Sequence, residues 1–106
     1  MANPRSMRAM ELIPAIRAAL GQLEPGSRDA LSGGQRAALW RAQQHAAHMN
    51  HSVEDLRRYC LEALRPRLLD ERDENDYLRG FRKGFQTVLS EIRVAETRGR
   101  SQLRRS

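Results

Sequence analysis

The chain has 106 residues, of which 40% are hydrophobic and only 5% aromatic, enough for one small domain with a thin aliphatic core. Its net charge is +6, yet residues 1–76 are neutral, with 11 Arg against 11 Asp and Glu, while residues 77–106 carry eight basic side chains against two acidic ones. A single cysteine, Cys60, excludes an intrachain disulfide, and no apolar run approaches the roughly 18 residues of a membrane span.

Residues 1–6 read as a flexible start. From Met7 to Leu23, the residues Met10, Ile13, Ile16, Leu20 and Leu23 recur at helical spacings. Pro14 interrupts them, so either a helix begins near Ile13 or two pieces meet in a kink. Pro14 and Arg17 also break any signal-peptide core, and the expected compartment is the cytoplasm. Glu24-Pro25-Gly26-Ser27 reads as a turn.

Ser32-Gly33-Gly34-Gln35 has the S-x-x-Q form of a capping box, predicting a helix from about Gly33 to Met49. Leu39, Ala42, Ala46 and Met49 form its apolar stripe, which Ala37, Trp40 and Ala47 widen. Arg41, His45 and His48 fall on the opposite, solvated side. Ser52-Val53-Glu54-Asp55 reads as a second cap, opening a helix from Val53 to about Arg65 with Val53, Leu56, Cys60, Ala63 and Leu64 inward and Tyr59 beside them. Pro66 ends it.

The acidic run Asp70, Glu71, Asp73, Glu74 and Asp76 precedes the longest amphipathic stretch, expected from about Asp73 to Thr97. Leu78, Phe81, Phe85, Val88, Ile92 and Ala95 alternate at spacings of three and four, a seam that suits helix-on-helix packing. Acid at its start and Arg98, Arg100, Arg104 and Arg105 at its end match the helix dipole. Gly80 and Gly84 share one face. An interior glycine costs about 0.5–1 kcal/mol relative to alanine, so the pair points to close approach by another backbone: a helix, a second subunit or a nucleic-acid strand.

Three strings invite a chemical reading. Leu31-Ser32-Gly33-Gly34-Gln35 resembles the signature motif of ABC-transporter ATPases, and Leu68-Leu69-Asp70-Glu71 resembles a Walker B strand. The chain has no G-x-x-x-x-G-K-[ST] loop to cradle the remaining phosphates and is too short for that ATPase domain. His45, His48 and His51 have the i, i+3 spacing that can share a metal, but no clear further ligand accompanies them. The acidic run lacks the spacing of a calcium loop. No metal, cofactor, small-molecule substrate or catalytic residue is expected.

Gln35-Arg36, Trp40, His48 and His51-Ser52-x-Glu54-Asp55-Leu56 resemble a pattern in small phage recombination proteins of the NinB type. The resemblance covers residues 35–56, and the rest of the chain does not continue it. It implies a phage or prophage origin and single-stranded DNA binding.

The expected fold is all-α: three or four helices with a long amphipathic C-terminal helix, forming one domain over residues 7–97, followed by a basic tail at residues 98–106. The expected function is non-catalytic binding and assembly. Self-association, or entry into a larger protein assembly, is expected through Leu78, Gly80, Phe81, Gly84, Phe85, Val88 and Ile92. DNA or RNA is expected to be engaged through backbone contacts by Arg79, Arg82, Lys83, Arg93, Arg98, Arg100, Arg104 and Arg105. The alternative is a phage or mobile-element accessory or virion protein, located within a phage particle, that acts purely by protein–protein contacts.

Overall fold

A computed structural model describes residues 7–23, 29–48, 51–65 and 75–104, with side chains as far as Arg98. The turn at residues 24–27, Met49, the run from Asp70 to Glu74, and Arg105 lie outside the described residues. The fold is all-α. A four-residue 3₁₀ turn, Ala9–Leu12, runs directly into α1, Ile13–Gln22; α2 is Ala30–Ala47, α3 is Val53–Ala63 and α4 is Asp76–Arg104.

Three of the starts have a local cause. Pro14 occupies the first turn of α1, where its missing N–H leaves no helical bond unmade. It therefore begins an α-helix behind a 3₁₀ turn. Ser52 and Asp55 close the expected capping box on α3: the Asp55 N–H donates to Ser52 Oγ at 3.1 Å and the Ser52 N–H donates to Asp55 Oδ2 at 2.9 Å. Asn75 caps α4, its side-chain oxygen accepting from the Leu78 N–H at 2.9 Å.

The start of α2 departs from the expectation. The helix begins at Ala30 with Asp29 as its N-cap, and the Gly33 N–H already donates to the Asp29 carbonyl at 3.1 Å. Ser32 lies within the first turn and does not cap the helix. The physical reason is α4, which lies against the two glycines and needs them inside a helix.

A β-carbon added to Gly34 would stand 2.0 Å from the Tyr77 carbonyl oxygen, one on Gly80 would stand 1.9 Å from the Leu31 carbonyl oxygen, and one on Gly84 would stand 2.6 Å from Ala38 Cβ. Gly80 faces Leu31 and Gln35, and Gly84 faces Gln35 and Ala38, so α2 and α4 run in the same direction. Their contact is backbone on backbone, the close approach that small residues four apart permit. The α3 helix runs the other way along α4: Arg57 pairs with Glu96, and the Tyr59 ring meets Phe85 edge-on.

The core is one cluster. Ala9, Leu12 and Ile16 from the N-terminal segment, Ala38, Leu39, Ala42 and Ala46 from α2, Val53, Leu56 and Cys60 from α3, and Phe85, Val88 and Ile92 from α4 are buried together. Trp40 departs from the expected stripe: it is 52% exposed, because α4 lies along the Gly34–Ala38–Ala42 side of α2 and leaves Trp40 on the outer side. Met10 and Ala47 are also exposed.

The N-terminal segment is fastened at the α2–α3 corner by backbone hydrogen bonds. The Ala9 N–H donates to the His51 carbonyl at 3.0 Å and the Val53 N–H to the Met7 carbonyl at 2.9 Å. They flank an isolated antiparallel bridge between Arg8 and Ser52.

Candidate functional site

Two regions gather the chemistry: the outer face of α4 and the histidine corner between α2 and α3. At 100° per residue, positions 79, 82, 83, 86, 90 and 93 fall on one side of α4, opposite the buried positions 85, 88 and 92. Arg79, Arg82, Lys83, Gln86, Ser90 and Arg93 are all exposed. From Arg79 to Arg93 this stripe is roughly 21 Å long. Arg98 is exposed as well, about a quarter turn aside. Arg100 and Arg104 continue the spacing in sequence, on a helix whose backbone runs to Arg104.

The carboxylates of α4 lie mostly off this stripe. Asp76 pairs with Arg79 at 3.4 Å at its beginning. Glu96 turns toward α3, where Arg57 holds it together with Glu54. Glu91 is half-buried. From Arg82 to Arg93, the stripe itself carries no acidic position.

The seam residues named for assembly have an intrachain use. Gly80, Gly84, Phe85, Val88 and Ile92 are buried within the chain, the glycines against α2 and the others in the common core. Phe81 is half-buried, with its ring against Phe85 and the Arg41 guanidinium lying 5.3 Å from its centroid. Leu78 is the member that faces outward, at 39% exposure.

The histidines are arranged differently from their spacing. Arg41 and His48 are exposed, but His45 is half-buried. Its ring is sandwiched between His51, at 3.9 Å between centroids, and Tyr59, at 4.4 Å. His51 Nδ1–H donates to the His45 carbonyl at 2.8 Å. A carbonyl only accepts, so this nitrogen must carry the proton. The same carbonyl also accepts the His48 N–H at 3.3 Å, so the ring adds a second bond at the end of α2.

His45 Nδ1 is itself buried and has no hydrogen-bond partner among the described residues. Burial pushes the His45 pKa down, His51 and His48 add to this, and Asp55 opposes it. Shallow depressions of about 240 and 260 Å³ flank the stacked rings, with Asp55, Arg58 and Glu62 on one side and Arg41, Gln44 and His48 on the other.

Among the described residues, no group of three or more His, Cys, Asp or Glu is placed to hold a metal ion. The reason at the corner is geometric: ring nitrogens bind metals in the ring plane, and His45 and His51 face each other plane to plane. Cys60, the one thiol, is buried, and desolvation pushes its pKa up to about 12. It offers no thiolate near neutral pH.

Spacing alone did not reveal the His45–His51–Tyr59 stack or the part played by Gly34. The glycine contact had a readable signal, since Gly34, Ala38, Ala42 and Ala46 repeat every four residues as Gly80 and Gly84 do. The ring stack had none, because Tyr59 comes from another helix. Residues 35–56 span the α4 contact at Gln35, the exposed Trp40, the histidine corner and the Ser52–Asp55 cap. Among the described residues no helix is long and apolar enough to cross a membrane. No family model, no curated protein and no solved structure matches the chain.

Proposed function

We propose that the chain is a small non-catalytic binding protein that engages nucleic-acid phosphates through the outer face of α4. The observation that carries this reading is the segregation of charge on one helix: Arg79, Arg82, Lys83 and Arg93 outward, the apolar seam inward. Arginine grips phosphate bidentately and stays charged. A row of such groups on a rigid helix gives affinity that depends on salt and little on sequence.

Anisotropy titrations against duplex DNA, single-stranded DNA and RNA between about 50 and 200 mM salt test it. Wild type binds with a steep salt dependence. In the combined variant Arg82→Ala, Lys83→Ala, Arg93→Ala, the log–log salt slope on duplex DNA falls by roughly 0.9 for each lost contact. No binding by wild type at low salt, or an unchanged slope in a variant that keeps its helicity, would sink the proposal.

A second reading is favoured by a specific observation. Trp40, Tyr77 and Leu78 are large apolar side chains left exposed. Contact with a protein, either another copy or a phage or mobile-element partner, would use these and not the basic stripe.

A further inference from the structure

We propose that the α2–α3 corner is an acid-operated latch: protonation of His45 breaks the ring stack, loosens the His51 cap and releases the Met7–Ala9 stretch from the corner. This does not rest on the nucleic-acid reading.

A neutral imidazole needs a donor on one nitrogen and leaves a lone pair on the other. His45 Nδ1 is buried with no acceptor among the described residues, so this nitrogen suits the lone pair. An imidazolium would place an N–H there with nothing to receive it, at the cost of an unmade hydrogen bond to a charged group. It would also lie face to face with the His51 ring at 3.9 Å, close to a second basic group.

The surroundings do not offset this. From α2 come Arg41 and His48, and from α3 come Asp55, Arg58, Tyr59 and Glu62. Arg8 and Glu11 stand on the adjoining N-terminal turn, where the Arg8 N–H donates to Glu11. The α4 helix meets the cluster through Phe85, against Tyr59. Asp55 favours the cation, but its carboxylate already accepts the Ser52 N–H in the α3 cap. Burial, His51 and His48 prevail, and the His45 pKa is lowered.

The sign follows. A histidine whose folded pKa lies below its unfolded value stabilises the fold in the neutral form. That stability is present above about pH 6.5 and is lost as pH falls below it.

The link to the N-terminal segment is covalent and short. His51 caps α2 through its ring and accepts the Ala9 N–H through its own carbonyl, and two residues on, the Val53 N–H donates to Met7. Displacing the His51 ring therefore moves the strand of backbone on which Met7 and Ala9 are hung. The α2–α4 contact at Gly34, Gly80 and Gly84 involves other residues and is not loosened by the same proton. Release loosens the end of the core that Ala9 closes.

Amide hydrogen exchange of the full chain, followed by NMR from pH 7.5 to 5.0 and corrected for intrinsic rates, tests the latch. Protection at Ala9 and Val53 should fall reversibly by about fivefold or more, while protection at Gly80 and Gly84 stays within about twofold. His45→Phe, which keeps a stacking ring without a titrating nitrogen, should abolish the acid response. His48→Gln, at the exposed ring, should leave it intact. Flat protection at Ala9 and Val53, loss in step with Gly80 and Gly84, or a full response in His45→Phe would overturn the proposal. If His45→Phe does not fold, the ring shifts of His45 in the wild-type chain decide. A midpoint coinciding with the loss at Ala9 supports the latch, and a separate midpoint overturns it.

Discussion

The glycines of this chain act by what they lack. At Gly80 and Gly34 an added β-carbon would strike a carbonyl oxygen of the facing helix at 1.9 and 2.0 Å. Backbone cannot swing aside as the end of a long side chain can, so the two helices must separate or shift. Gly80→Ala or Gly34→Ala should therefore cost about 3 kcal/mol, at the upper end of overpacking. Gly21 is the internal contrast, since nothing lies within 4 Å of its added β-carbon. There, Gly21→Ala should stabilise by about 0.5–1 kcal/mol, because alanine is the better helix former. Urea unfolding midpoints at constant m-value check both signs, and a neutral Gly80→Ala would show that α2 and α4 do not meet through backbone.

Short-range chemistry closes several of the described helix ends, and α3 shows it most fully. Ser52 and Asp55 serve each other, and Ser52 holds the Asp55 carboxyl below the ordinary carboxylate value of 3.8, its backbone N–H more than its hydroxyl. Ser52→Ala should destabilise by about 1 kcal/mol, the usual loss for an N-cap. A depressed folded pKa means that the contribution of Asp55 is present above pH 3.8 and lost as pH falls through its lower folded value. That acid loss should persist in Ser52→Ala, where the Ser52 N–H still reaches the carboxylate, and should vanish in Asp55→Asn. Thermal melts between pH 2 and 7 separate the two. Equal acid dependence in wild type and Asp55→Asn would mean that other carboxylates govern it. On α4 the same element carries two unlike tasks, with Phe85, Val88 and Ile92 holding the core and the outward arginines meeting solvent.

For the whole molecule, the long axis of 50 Å exceeds the roughly 43 Å length of a 29-residue α4 by little, so this helix sets the longest dimension. Because the seam is occupied within the chain, a test of self-association belongs at the outward apolar residues. Phe85→Asp would place a charge in the core and unfold the chain; Leu78→Asp would not. If Trp40, Tyr77 and Leu78 pair two copies, light scattering should give about twice the 12.2 kDa monomer mass. Leu78→Asp should then return the monomer with its helicity intact. A monomeric wild type at high concentration would leave these residues to a different partner or to none.

Much of this was legible in the sequence because it is local. Spacings of three and four gave the helices, Ser52 with Asp55 gave a cap, and the division of charge at residue 77 gave α4 its basic character. A helix's turn and its caps involve residues within four of one another, so the chain states them directly. What only tertiary structure decided depends on neighbours brought from elsewhere. Ser32-Gly33-Gly34-Gln35 has the form of a cap, yet it lies inside a helix because α4 presses on it. Trp40 shares the spacing of a buried stripe, yet it is exposed because α4 took the glycine side. His45 sits among polar residues on α2, yet its ring is half-buried because Tyr59 and His51 stack on it. Periodicity says which residues share a face, while the partner helix decides which face is covered.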